Sequence, residues 1–156
     1  MTNRHRLAKH PQAETPAAAA RRPLRILVAD GHAAAADSLA LLLTVLGHEV
    51  EVARTGPAAL DAFHARRPDL LLSDIVLPKL DGLDLVSRLG GQRPRLATVL
   101  VALTGLSDPA IRRRVRRAGY HHHLVKPVAP DALQVLLDSI LPSPPAEAPT
   151  RLAVAG

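Results

Sequence analysis

At 156 residues, 47% of them apolar, the chain has the size of one ordinary domain and enough hydrophobic material for a real core. With Phe63 and Tyr120 as the only aromatics that core must be aliphatic, and without cysteine there is no disulfide or thiolate metal site. The formal charge of +6 falls partly in the first 25 residues, which weakens any basic binding face on the domain.

Residues 1–22 are basic, rich in Ala and Pro and without period, and are expected to form a disordered arm. Ala17 to Ala20 are too few for a signal-peptide core, and Arg21-Arg22 follow them instead of preceding them. No apolar run reaches the roughly 18 residues of a membrane helix. The expectation is a cytoplasmic protein with no membrane partner. "LRILVAD" (24–30) is a continuous apolar run, as in a strand covered on both faces. Residues 33–46 carry Leu39, Leu42, Leu43 and Leu46 at helical spacing, and Gly47 stops that helix. "HEVEVA" (48–53) alternates, like a strand nearer the edge. "GPAALDAFHARR" (56–67) is helical, with Pro57 suited to its first turn.

"DLLLSDI" (69–75) is a second buried strand ending in an acid, "PKLDG" (78–82) is turn chemistry, and 83–90 is a short helix closed by Gly90-Gly91. "LATVLVALTG" (96–105) is a third buried strand. "SDPAIRRRVRRAG" (107–119) opens on a cap signal and closes on glycine, so it is a helix. "HHLVKP" (122–127) is a short strand stopped by Pro127, and "APDALQVLLDSIL" (129–141) is the last helix. "PSPPAEAPTRLAVAG" (142–156) reads as a flexible tail, leaving about 23–141 as the folded domain. Strands separated by helices must be parallel with right-handed crossovers. The predicted class is α/β: a doubly wound parallel sheet of five βα units with helices on both faces.

Ligands of such sheets bind outside the carboxyl ends of the strands. Asp30, Asp74, Thr104 and Lys126 end four of them. Each has a bland alternative, the acids as helix caps, Thr104 as a β-branched strand residue, Lys126 as a solvated end. Together they suit phosphoryl transfer. Two carboxylates supply oxygens to Mg²⁺, a carboxylate can take a phosphoryl group as an acyl phosphate, and an ammonium neutralises the transferring oxygens.

The pieces "ILVAD", "LALLLTVLGHEVEVARTGPAAL", "PDLLLSDIVLPKLDGLDL", "VALTG", "AGYHHHLVKP" and "PDAL" cover residues 24 to about 140. In that order and spacing they resemble the receiver domain of bacterial two-component response regulators. The resemblance implies a flavodoxin-like (βα)5 fold with strand order 2-1-3-4-5. It implies Asp74 as phosphoacceptor, Asp30, Asp74 and the Val76 carbonyl as holders of Mg²⁺, and Thr104 and Lys126 as phosphate-binding residues. Pro78, Gly82 and Pro127, the last cis-bonded, would be structural at the site, and His123 falls where the family has a side chain that swings inward. A sensor histidine kinase or phosphotransfer protein would be the donor, and 107–140 the face for a downstream partner or homodimer. The expected function is a stand-alone signalling receiver and not a turnover enzyme.

One departure stands out. The family ends its first strand with two acids, whereas Asp30 is followed here by Gly31, so Mg²⁺ affinity should fall. His32 is a poor substitute, since imidazole is not a Mg²⁺ ligand of choice. The alternative function is a pseudo-receiver that binds partners without phosphorylation. A small hydrolase on this fold lacks an evident Ser or His base near Asp74. "HHH" (121–123) could place His121 and His123 on one strand face, without a third metal ligand, and gives that face sensitivity to pH near neutrality. "RRRVRR" (112–117) is a solvated helix face or a contact for an acidic partner. Scarce aromatics and the absence of a following DNA-binding module count against nucleic acid.

Overall fold

The computed structural model describes residues 22–90, 97–105 and 108–141. The chain alternates β1 (Arg25–Ala29), α1 (Ala33–Val45), β2 (Glu49–Ala53), α2 (Gly56–Arg66), β3 (Leu70–Asp74), α3 (Gly82–Gly90), β4 (Val99–Thr104), α4 (Pro109–Ala118), β5 (His122–Val125) and α5 (Pro130–Ile140). The five strands form one parallel sheet in the order β2-β1-β3-β4-β5, the flavodoxin-like order. The central strands are the continuous apolar runs: Val28, Leu70, Leu71, Leu72 and Val101 have no measurable exposure. The alternating β2 lies at an edge and is half-covered.

Two layers clothe the sheet. Leu39 and Leu43 of α1 and Leu133, Leu136 and Leu137 of α5 pack with Val28 and Leu72 on one face. On the other, Phe63 of α2, Leu85, Val86 and Leu89 of α3 and Val115 of α4 pack with Leu27 and Leu71. Each fully buried leucine contributes about 1.5–3 kcal/mol relative to an exposed one.

Caps fix the helix ends. Thr55 and Asp108 accept from the third residue on at the starts of α2 and α4, with proline in each first turn. Gly47 and Gly119 sit at positive φ where α1 and α4 have ended. The start of α1 differs from the bland alternative for Asp30: His32 is the cap, its Nδ1 accepting from the Ala35 N–H at 3.3 Å. Asp81, not Asp74, caps α3, accepting from the Leu83 and Asp84 N–H groups at 2.9 Å each.

Element ends shift by one to three residues from the sequence reading. β5 stops at Val125, two residues short, because Pro127 has no N–H to continue the ladder. His121 precedes β5 instead of sharing a strand face with His123, and its Nδ1 accepts from the Leu100 N–H at 2.9 Å. Residues 1–21 of the expected arm (1–22) and the tail (142–156) lie outside the described residues, as do the first residue expected for β4 and that expected for α4.

Candidate functional site

The parallel sheet brings the carboxyl ends of β1, β3 and β4 side by side, with the residue after β5 beside them. Asp30 immediately follows β1 and is 2% exposed, its N–H donating to the Ala53 carbonyl at 3.0 Å. Asp74 ends β3 and is half-buried. Lys126, past the end of β5, reaches both: its Nζ donates to Asp30 Oδ2 at 2.7 Å and to Asp74 Oδ2 at 2.5 Å. The second oxygens are also held. Asp30 Oδ1 accepts from the His32 N–H at 2.8 Å, and Asp74 Oδ1 from the Val76 N–H at 2.9 Å.

Three charged groups thus share one corner, Asp30 buried and Asp74 and Lys126 partly so. Burial by itself pushes the Lys126 ammonium down, but hydrogen bonds and charge from Asp30 and Asp74 outweigh it and hold it above the usual lysine range. The Lys126–Pro127 bond is cis. The Lys126 N–H donates to the Thr104 carbonyl at 2.8 Å, tying the lysine to the end of β4, where Thr104 is 1% exposed. Val125 pairs with Thr104 and His123 with Ala102, and His123 is half-buried. A mainly apolar cleft of about 610 Å³ opens beside Lys126, lined by His32, Leu39, Leu42, Pro127 and Val128 among others.

The loop after β3 closes the corner. The Pro78 carbonyl accepts from Leu80 and Gly56 N–H groups at 2.8 and 3.1 Å. Gly82 donates to the Ile75 carbonyl at 3.1 Å, and a Cβ on it would stand 2.2 Å from the Asp74 carbonyl oxygen, so no larger residue fits. Gly31 lies under the Pro78 ring: a Cβ there would come within 2.8 Å of Pro78 Cδ. A side chain at position 31 would therefore require the Pro78 ring to shift from where it stands here.

Asp30, Asp74, Thr104 and Lys126 are brought to one edge, with Gly31, Val76, Pro78, Gly82 and Pro127 around them. Two carboxylates and a backbone carbonyl are the oxygen chemistry that Mg²⁺ takes, so the residues fit the ion with a reduced donor set. Among the described residues no three His, Cys, Asp or Glu side chains gather as a metal cluster. Sequence reasoning missed Tyr120, which is 4% exposed and whose hydroxyl donates to the Gly82 carbonyl at 2.7 Å. Its being the chain's single tyrosine was the available signal.

This fold and edge define a receiver. The response regulator receiver domain family matches residues 26–138, and the chain belongs to it. It is similar to the response regulator MprA of Mycobacterium tuberculosis, 35% identical over 118 residues that make up 76% of this chain and 50% of that protein. It is also similar to a probable transcriptional regulator, ycf27, of Guillardia theta, at 31% over 75% of this chain and 45% of that one. The chain spans about half the length of these curated relatives. Among solved structures, Vibrio cholerae chemotaxis response regulator CheY4 aligns with a TM-score of 0.71 at 27% identity, over 77% of this chain and 100% of that one. A CheY-like receiver domain protein from Methanospirillum hungatei aligns at 0.68 and 29%, over 76% and 94%. Receivers are the signalling domains of two-component systems, and among the described residues no helix is long and apolar enough to cross a membrane.

Proposed function

We propose that this receiver accepts a phosphoryl group on Asp74 from the phosphohistidine of a sensor kinase or phosphotransfer protein. The observation that carries this is Lys126 bridging Asp74 and Asp30 at the carboxyl edge of the sheet. An Asp74 carboxylate oxygen attacks phosphorus, the P–N bond of the donor breaks, and the donor imidazole, already protonated on its other ring nitrogen, leaves neutral as an acyl phosphate forms. The Val76 N–H orients the carboxylate through its other oxygen. Lys126 exchanges its bond to Asp74 for one to the phosphoryl oxygens and keeps Asp30, so the ammonium offsets the charge that arrives. The Thr104 hydroxyl hydrogen-bonds a phosphoryl oxygen, and the segment 107–140 carries the change to a downstream protein or a second copy. His123, half-buried beside Ala102, is the side chain that would respond. When bound, Mg²⁺ supplies further positive charge against those oxygens; Asp30, Asp74 and the Val76 carbonyl would hold it.

A second reading is favoured by the Pro78 ring over Gly31: a phosphorylation-independent pseudo-receiver whose Lys126 substitutes permanently for metal charge. Intact mass separates the two. Incubation with acetyl phosphate and Mg²⁺ should add one phosphoryl group to the wild type and none to Asp74→Asn. A wild type that stays unmodified at high Mg²⁺ leaves the pseudo-receiver.

A further inference from the structure

Tyr120 fills the junction where α4 ends and β5 begins. Its N–H donates to the carbonyl of Val115, the buried residue of α4, at 3.3 Å. The next residue, His121, is pinned to β4 by its N–H on the Leu100 carbonyl at 2.8 Å. The side chain is buried in the same core layer as Leu85, Val86 and Val115. A phenylalanine would fill this volume without bringing a polar atom into it, and burying a hydroxyl is costly unless it is bonded.

The hydroxyl is bonded at the back of the acceptor strand. It donates to the Gly82 carbonyl at 2.7 Å and is near the hydroxyl of Ser73, the residue before Asp74, which itself donates to the Asp74 carbonyl at 3.0 Å. Gly82 in turn donates to the carbonyl of Ile75, the residue after Asp74, and approaches the Asp74 carbonyl so closely that a Cβ would not fit between them. Backbone on both sides of Asp74 is therefore in contact with Gly82 or Ser73, and both meet one phenol. A displacement of the Asp74 backbone has to move Gly82, and Gly82 cannot move without straining its bond to Tyr120.

We propose that Tyr120 is a positioning residue that couples the state of Asp74 to helix α4 through Gly82 and Ser73. This route is separate from Thr104 and His123, which lie on β4 and β5. It rests on Asp74 being the functional acid, but it needs neither a phosphodonor nor a metal. An aromatic that merely fills the core would contribute to stability without transmitting anything.

Hydrogen exchange of α4, residues 109–118, decides between these in the full chain, using wild type, Asp74→Asn, Tyr120→Phe and the double variant. Removing the Asp74 charge should change α4 exchange about fivefold or more in the tyrosine background, and less than about twofold in the phenylalanine background. A purely structural tyrosine would lower stability in Tyr120→Phe yet leave the Asp74-dependent difference intact. That equality overturns the proposal, as does the lack of any α4 response in either background. Should Tyr120→Phe not fold, Ser73→Ala keeps the ring in place and must weaken the same response by about half; an unchanged response also overturns it. Failure of phosphotransfer is read separately, as absence of the intact-mass adduct.

Discussion

At residue scale the site is decided by what surrounds each acid. Asp30 is almost wholly buried, and Lys126 is the positive charge bonded to it. Replacing Lys126 with Met leaves two neighbouring carboxylates without their cation, and the expected loss is about 3–5 kcal/mol in urea unfolding. The double variant Asp30→Asn/Lys126→Met should recover much of that loss, because it removes the uncompensated buried charge. Gly31 behaves differently. Gly31→Asp alone forces a side chain against the Pro78 ring, an overpacking expected to cost about 1–3 kcal/mol. Pairing it with Pro78→Ala opens that space. In calorimetric titration the double variant, with its third carboxylate, should bind Mg²⁺ more tightly than wild type, and the single variant should gain less. Equal Mg²⁺ binding in wild type and the double variant would sink the idea that this position limits metal affinity.

At the scale of elements, α4 is the outlier. Arg25, Arg54 and Arg66 each meet an acid, Asp69, Asp37 and Glu51. α4 carries Arg112, Arg113, Arg114, Arg116 and Arg117 in ten residues, with no acid within the helix itself. Like charges four apart repel, and only the last two gain from the helix C-terminus. Arg113→Glu replaces the 113/117 repulsion with an attractive pair in the favourable orientation, so thermal unfolding should show a gain of about 0.3–0.5 kcal/mol. Loss of stability would mean that Arg113 is held by something in the fold.

The elements also show what the sequence could and could not reveal. Continuous runs such as "ILVA" announced the buried strands because a strand covered on both faces must be largely apolar. Glycine and proline announced most helix ends because they act through local backbone geometry. Asp30, Asp74, Thr104 and Lys126 were legible as a group because parallel topology gathers strand ends. Three features were not legible, because they depend on contacts between residues distant in sequence. These are the Tyr120 hydroxyl on Gly82, 38 positions away, the Pro78 ring over Gly31, and His121 spending its Nδ1 on Leu100.

Over the whole molecule, the two ends of the sheet set the two limits of its stability in pH. At the amino end His48, just before β2, uses Nδ1 to accept from the Leu24 N–H at 3.2 Å, and burial pushes its pKa below the usual histidine value. The native state favours the neutral ring, so this stabilisation is complete above about 6.5 and is lost as pH falls through the lower folded value. At the carboxyl end the Lys126 ammonium is held above its usual range by Asp30 and Asp74, and in the core layer over the sheet burial pushes the Tyr120 phenol up as well. Both groups keep protons in the native state that the unfolded chain releases, so stability declines as pH rises beyond about 10. The urea midpoint should therefore fall between pH 7.5 and 5.5 and again above pH 10. His48→Gln should flatten the acid limb and leave the alkaline limb in place, whereas Tyr120→Phe should reduce the alkaline limb alone. An acid limb of unchanged steepness in His48→Gln would show that some other group governs the amino end of the sheet.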